Sequence, residues 1–336
     1  MQPSGVLTDW VVQAIGAGAE ILSAQGLHDG NGPWLLRIDH QGTTHEVVLR
    51  TAGQRGSIGP QPIATGAAAL RFAEQVGLSA PRLIAADLNG MKAGVPATLE
   101  TCLPGTSRLP TTVSPTQLRS VGAAIAKVHA IPLAPRPPDL PFRRWSMAPS
   151  DPAGDRRWAA LYASCEKHER EAVLAAWCEA TGGSIERARR VVQVPRSTPL
   201  LHLADERIRE HGRPFEATVF VHGDVWWGNT RWDDALCFAL LDWKDAGAGS
   251  PGVDLGNLRF QMAVTYGLDT PDDVLAGWQE ESGHVPSHIA YWDAIAALRT
   301  PAVFEDYPAF EDGEPVGQAT VAERRDTFLR LAIDRL

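Results

Sequence analysis

Asp224, Asn229 and Asp242 are the side chains whose types and spacing can do chemistry. Asp224 and Asn229 lie five residues apart in the stretch VHGDVWWGN (Val221 to Asn229), and Asp242 follows thirteen residues later, at the end of CFALL. A hairpin turning at Asp233-Asp234 would fold Asp242 back toward Asn229 and collect three oxygen-bearing groups in one small volume. Hard oxygen ligands of this kind suit Mg²⁺, which takes one or two protein groups and completes its shell with phosphate oxygens and water. Phosphoryl transfer asks for little else from a protein: one Asp to orient the acceptor hydroxyl, and an Asn and a second Asp to hold the metal. On that reading Asp224 positions or deprotonates the acceptor, while Asn229 and Asp242 ligate Mg²⁺. Two rival readings use the same residues. A hydrolase metal site built on His222, Asp224 and Asp242 needs further His or carboxylate ligands at short spacing, and VWWGNT supplies none. Three unrelated strand-end caps would not need this joint spacing. His222 itself reads as a base, a ligand or a buried structural residue. Trp226 and Trp227 stack on a ligand or pack in the core, with the core expected for at least one.

Elements must bring these groups together. Before the motif, the run ATVFV (Ala217 to Val221) reads as a strand, and TRWDDALCFALLD reads as the hairpin after it. The first hundred residues are strand-rich: Ala19 to Leu27, Pro33 to Asp39 and His45 to Arg50 are apolar runs separated by glycine turns, an antiparallel meander. A helix from about Ala64 to Val76 follows, closed by Gly77, and PRLIAAD and VPATLETCLPG read as two more strands. Pro104-Gly105 is the best boundary, giving units of residues 1–104 and 105–336. Beyond it the pattern is helical. Ser114, Pro115 and Gln117 form a capping-box start, and Leu118, Val121, Ile125 and Val128 keep a 3.6-residue stripe. The proline-rich run from Ile131 to Pro152 reads as a long loop, and another helix starts at Thr198-Pro199 and ends near Gly212. The fold class is α+β, a small antiparallel-sheet unit followed by a larger, mainly helical one.

The combined pattern from Val221 to Leu255 resembles the aminoglycoside phosphotransferase and choline kinase family, the small-molecule branch of the protein-kinase-like fold. It consists of His-Gly-Asp with Asn five residues after the Asp, an apolar strand ending LLDW, and then GSPGVDL. The resemblance implies a two-lobed kinase-like fold, ATP or GTP as phosphate donor, Mg²⁺, and a small hydroxylated acceptor such as an aminoglycoside, a macrolide or an amino sugar. By the same resemblance Asp254 braces the catalytic loop. Gly30 and Gly32, in GLHDGNG, lie where the family covers the phosphates, and Arg50, closing VVLR, stands at the place of the phosphate-binding Lys. The Thr101 carbonyl and the Leu103 amide, in ETCLPG, fall at the adenine-binding hinge. The register puts Gly66 where the family offers a Glu to pair with the phosphate-binding cation. A kinase-like protein that binds nucleotide or metabolite with little turnover is the alternative.

Composition narrows the partners. With 31 Lys and Arg against 40 Asp and Glu, the net charge of -9 argues against nucleic acid and is compatible with a cationic acceptor. Five acids between Glu305 and Glu314 could bind amines or form a solvated loop. The four cysteines have no C-x-x-C pair, so neither zinc nor a disulfide framework is suggested. The start MQPSGVLTDW is not a secretory leader, and no apolar run approaches the ~20 residues of a membrane helix. The expectation is a cytoplasmic protein without a membrane partner.

Overall fold

In a computed structural model that describes residues 3–27, 33–52, 60–143, 152–181, 184–193, 198–304 and 306–336, the chain divides into two units. One comprises Met1–Leu109, Ala124–Arg143 and Thr218–Ser250, the other Pro110–Ala123, Arg144–Ala217 and Pro251–Leu336. The elements begin with α1 (Gly5–Ile15), β1 (Glu20–Gly26), β2 (Trp34–His40), β3 (Thr43–Thr51), α2 (Pro60–Gln75), β4 (Leu83–Asp87) and β5 (Ala97–Thr101). Helices α3 (Pro115–His129), α4 (Pro152–Ser164), α5 (Arg170–Thr181), α6 (Ile185–Gln193) and α7 (Pro199–His211) come next. The motif region holds β6 (Val219–Val221), β7 (Thr230–Asp233), β8 (Leu236–Leu240) and β9 (Gly247–Gly249). The chain closes with α8 (Gly252–Tyr266), α9 (Thr270–Ser282), α10 (Ile289–Leu298), β10 (Phe310–Glu311), β11 (Glu314–Pro315) and α11 (Gln318–Ile333).

Five strands form one antiparallel sheet in the order β1-β2-β3-β5-β4. Successive side chains of a strand point to opposite faces, so one face collects every second residue. Trp34, Leu36, Ile38, Val47, Leu49, Ala97 and Leu99 fill that face, and Leu7, Trp10 and Val11 of α1 cover it. The same alternation turns Val48, Arg50, Thr98 and Glu100 to the opposite face, where Val48 stands across from Glu100 and Arg50 across from Thr98. Helix α1 was not expected from the sequence, although Ser4 caps it by accepting from the Leu7 amide and its buried residues follow helical spacing. Helix α2 starts ahead of Ala64, at Pro60, a residue that tolerates the first helical position because its missing N–H has no partner there.

In the second unit, the capping box is formed as read: the Gln117 amide donates to Ser114 Oγ, and the Ser114 amide donates to Gln117 Oε1. Thr198 caps α7 in the same manner, accepting from Leu201. The main core joins Leu201, Phe260, Trp292, Phe304 and Phe328 from α7, α8, α10, the following loop and α11. The acid-rich stretch contains the β10–β11 hairpin, in which Phe310 pairs with Pro315 and Glu311 with Glu314, while Glu305 lies outside the described residues. Among the described residues no helix is long and apolar enough to cross a membrane.

Candidate active site

The expected hairpin forms and does what its spacing requires. β7 and β8 pair from Thr230↔Leu240 to Asp233↔Leu236, and Asp234 at the turn takes a left-handed φ of 47°. Just beyond the paired residues the Leu241 amide donates to the Asn229 carbonyl at 2.8 Å, which sets Asp242 beside the motif. On the other side, β6 pairs antiparallel with β9, so the strand that delivers His222 and Asp224 is tied to the segment after Asp242. Asn229 Nδ2 donates to the Asp224 carbonyl at 2.8 Å and lies 3.3 Å from Asp224 Oδ2. Gly223 needs to be glycine. Its φ is +85°, and a Cβ there would stand 2.0 Å from the Asp245 carbonyl oxygen.

His222 is fully buried and structural in its contacts. Its Nε2 meets the Leu241 carbonyl at 2.7 Å, its Nδ1 accepts from the Asp224 amide at 3.3 Å, and its ring lies edge-on to Trp243. The two tryptophans divide. Trp227 is 2% exposed, stacks on Trp232 at 4.4 Å and donates to the Arg108 carbonyl, whereas Trp226 is 41% exposed.

Arg50 has its acidic partner, but not from the helix. Its guanidinium pairs with Glu100 on β5 and lies 3.1 Å from Asp242 Oδ1. Gly66 does line the same small pocket as Arg50, Glu100 and Asp242. A Cβ at Gly66 would stand 3.6 Å from Lys244 Cα, so α2 offers backbone proximity to the Trp243-Lys244 turn rather than an acid. Burial alone would lower the Arg50 pKa, yet the charges of Glu100 and Asp242 outweigh it and raise the value.

Asp242 sits in the left-handed region at φ 61°, ψ 60°, a conformation that a side-chain-bearing residue adopts at some cost and that clusters at functional positions. Its Oδ1 is buried, and among the described residues no hydrogen bond is aligned on it; Arg50 Nη1 is close but off the bonding direction. Burial pushes the Asp242 carboxyl up, but Arg50 and Lys244 more than offset this and hold its pKa below the ordinary carboxylate value. Lys244 is the residue that sequence reasoning missed most completely. Its Nζ lies 2.5 Å from Asp224 Oδ2, 3.0 Å from Asp242 Oδ2 and 3.5 Å from Asp245 Oδ2. Burial lowers its pKa, but Asp242 and Asp224 outweigh that and raise it. Arg143 completes the cluster: Phe142 bridges to Ala248 of β9, and the Arg143 guanidinium pairs with both the carbonyl and the carboxylate of Asp245. A charged residue in or beside an apolar strand is rarely buried unpaired, so Glu100 within ATLET and Lys244 after LLDW carried a signal.

The other expected residues are placed as follows. Thr101 ends β5, and Leu103 follows it, with the Leu103 carbonyl accepting from Arg231 at 2.6 Å. Asp254 is fully buried in the first turn of α8. Gly30 and Gly32 lie outside the described residues. The model of the phosphotransferase enzyme family matches residues 12–298. The chain belongs to this family. No curated protein sequence matches it. Solved structures of phosphotransferases share the fold at low identity. A provisionally assigned aminoglycoside phosphotransferase from Ralstonia eutropha JMP134 is 14% identical, with a TM-score of 0.59 over 98% of this chain and 96% of that one. The apoenzyme of macrolide 2'-phosphotransferase MphH from Brachybacterium faecium is 16% identical, with a TM-score of 0.54 over 88% and 91%. A thermostable mutant of aminoglycoside phosphotransferase APH(4)-Ia, in ternary complex with ADP and hygromycin B, is 12% identical, with a TM-score of 0.55 over 98% of each chain. The kinase-like α+β fold is thus shared along nearly the whole length.

Proposed function

We propose that this phosphotransferase moves the γ-phosphoryl group of ATP or GTP onto a hydroxyl of a small molecule of the aminoglycoside, macrolide or amino-sugar kind. The observation that carries the reading is the convergence of Asp224, from the turn after β6, with Asn229 and Asp242 at the two ends of the β7–β8 hairpin, with a buried Asp242 oxygen that has no aligned hydrogen bond. In it, residues 1–104 form the nucleotide lobe and residues 105–336 the helical lobe that carries the acceptor site. Asp224 orients the acceptor hydroxyl and draws its proton. Asn229 and Asp242 would hold Mg²⁺, whose chemistry when bound is to neutralise charge on the phosphates; an all-oxygen donor pair suits that ion. Arg50, braced by Glu100, reaches the phosphates, and Gly30 and Gly32 cover them. The Thr101 carbonyl and the Leu103 amide take the adenine edge. A net charge of -9 favours a cationic acceptor over a polyanion, and the use of ATP or GTP as phosphate donor fits a cytoplasmic protein. His222 has its Nε2 on the Leu241 carbonyl and its Nδ1 on the Asp224 amide, which weighs against the hydrolase reading that needs it as a metal ligand. The alternative of a turnover-deficient binder rested on Gly66 and on Arg50 itself; Glu100 on β5 supplies the acid that the helix lacks, which supports turnover.

The test is transfer of labelled phosphate to a panel of aminoglycosides, macrolides and amino sugars, with Asp224→Ala run in parallel. Asp224→Ala should lose about 10²–10⁴-fold in turnover, the worth of a positioned acid–base group, while nucleotide affinity stays near wild type. A variant that keeps more than about a tenth of wild-type turnover removes Asp224 from the acceptor side.

A further inference from the structure

An ammonium in contact with three carboxylates is an unusual thing to find at the centre of a site that has to admit a divalent cation. Lys244 Nζ touches Asp224 Oδ2 and Asp242 Oδ2 within hydrogen-bond distance and has Asp245 Oδ2 at 3.5 Å, and its side chain is 23% exposed. The three acids come from different places: the turn after β6, the end of β8 and the turn before β9. Among the described residues Lys244 is the one cation paired with Asp224, whereas Asp242 also has Arg50 and Asp245 also has Arg143. The local charges are four acids (Glu100, Asp224, Asp242, Asp245) against three cations (Arg50, Arg143, Lys244). Without Lys244, Asp224 Oδ2 and Asp242 Oδ2 would lose the one cation they share, leaving Asp224, among the described residues, with only the neutral Asn229 amide at 3.3 Å. A lysine ammonium is a compact point charge with three donors, closer to a metal ion in shape and field than a guanidinium fork.

We propose that Lys244 is a tethered cation standing in a divalent-ion position between Asp224 and Asp242. It holds the acceptor-side and metal-side carboxylates together before nucleotide arrives, and it supplies one of the positive charges that phosphoryl transfer otherwise draws from a second ion. The part it plays in transfer rests on the phosphotransferase reading; its occupancy of a cation position does not.

The decisive measurement therefore leaves nucleotide out. Wild type and the variants Lys244→Gln and Lys244→Arg are melted with and without millimolar Mn²⁺ or Mg²⁺, and Mn²⁺ binding is counted by electron paramagnetic resonance. Wild type and Lys244→Arg should bind no Mn²⁺ at the site and show no shift. Lys244→Gln should bind one Mn²⁺ and gain about 2–4 °C, as expected once the cation is at several times the dissociation constant of a newly opened carboxylate site. A Lys244→Gln chain that folds only when the cation is present supports the proposal equally. Nucleotide-free wild type that binds Mn²⁺ there overturns it, as does Lys244→Gln that responds no differently from wild type or fails to fold with the cation as well as without. A parallel melt of wild type with Mg²⁺ and a non-hydrolysable ATP analogue separates the two ideas. No nucleotide response with a cation gain in Lys244→Gln sinks the phosphotransferase reading and keeps the tethered cation, and the reverse pattern does the opposite.

Discussion

Arg50 illustrates how an expected pair can be present with a different partner. The family pattern places its acid on α2, where the register offers Gly66; the acid instead comes from Glu100, fifty residues away in sequence and on the neighbouring strand. A fork of guanidinium donors held by a buried carboxylate is preorganised for phosphate oxygens, and a lysine ammonium in its place would lose both the fork and its reach. Arg50→Lys and Glu100→Gln should each weaken nucleotide binding, and in a double-mutant cycle their effects should couple by about 0.5–3 kcal/mol, the range for residues in one network. Gly66→Glu should not rescue Arg50→Lys, because the carboxylate position beside residue 50 is already filled from β5 by Glu100. Calorimetric titration of the four proteins checks this, and simple additivity would separate Arg50 from Glu100. The identity of Glu100 as the partner was not legible because it depends on β3 and β5 pairing across an intervening helix and strand. Local pattern says that both are strands and nothing about their being neighbours. Lys244 was illegible for another reason: it is two residues from Asp242, but where its side chain goes follows from the left-handed turn at Asp242, which periodicity does not encode.

At the scale of elements, most of what positions the site was legible. Ser114 with Gln117, Thr198 before Pro199, the Asp233-Asp234 turn and the buried stripe Leu118, Val121, Ile125 and Val128 all stand where local chemistry puts them. Each is a short-range signal, a cap, a turn or a period. The connection between β4 and β5 is organised by another such device, Asp87, whose Oδ2 accepts from the amides of Lys92 and Ala93, both at 2.7 Å. Burial raises the Asp87 pKa, but the amides of Ala93, Lys92 and Met91 outweigh it and leave the value below the ordinary 3.8. The native state therefore binds this proton less readily than the unfolded chain does. The stability it contributes is fully present above the ordinary value and drains away as pH falls through the lower native one. Asp87→Asn keeps an acceptor but no charge, and should cost about 1–3 kcal/mol at neutral pH. Urea midpoints of the two proteins, followed from neutral pH downward, should run parallel and then converge below about pH 4. A gap that stays constant through that window would mean that Asp87 is not held ionised by its amides.

For the molecule as a whole, the placement of the candidate groups decides where ligand energy should register. Arg50, Glu100, Thr101, Leu103, Asp224, Asn229, Asp242 and Lys244 all belong to the unit of Met1–Leu109, Ala124–Arg143 and Thr218–Ser250, although they span nearly two hundred residues of chain. A nucleotide that binds the native state alone stabilises it by about 2.7 kcal/mol at a hundred times its dissociation constant, which for a domain of this size amounts to a rise of about 5–10 °C in Tm. With Mg²⁺ and a non-hydrolysable ATP or GTP analogue, that protection should therefore appear in hydrogen exchange first in β3, β5 and the β7–β8 hairpin. Helices α8, α10 and α11, whose core is separate, should change less. Asp242→Asn should abolish the Mg²⁺-dependent part of the shift, because an amide contributes a dipole where the ion needs a charge. Asn229→Ala should reduce it less, since it removes only a dipole. Protection that is uniform across both units, or an Asp242→Asn protein whose Tm still rises with Mg²⁺ and nucleotide as the wild type does, would mean that these residues do not hold the metal–nucleotide complex.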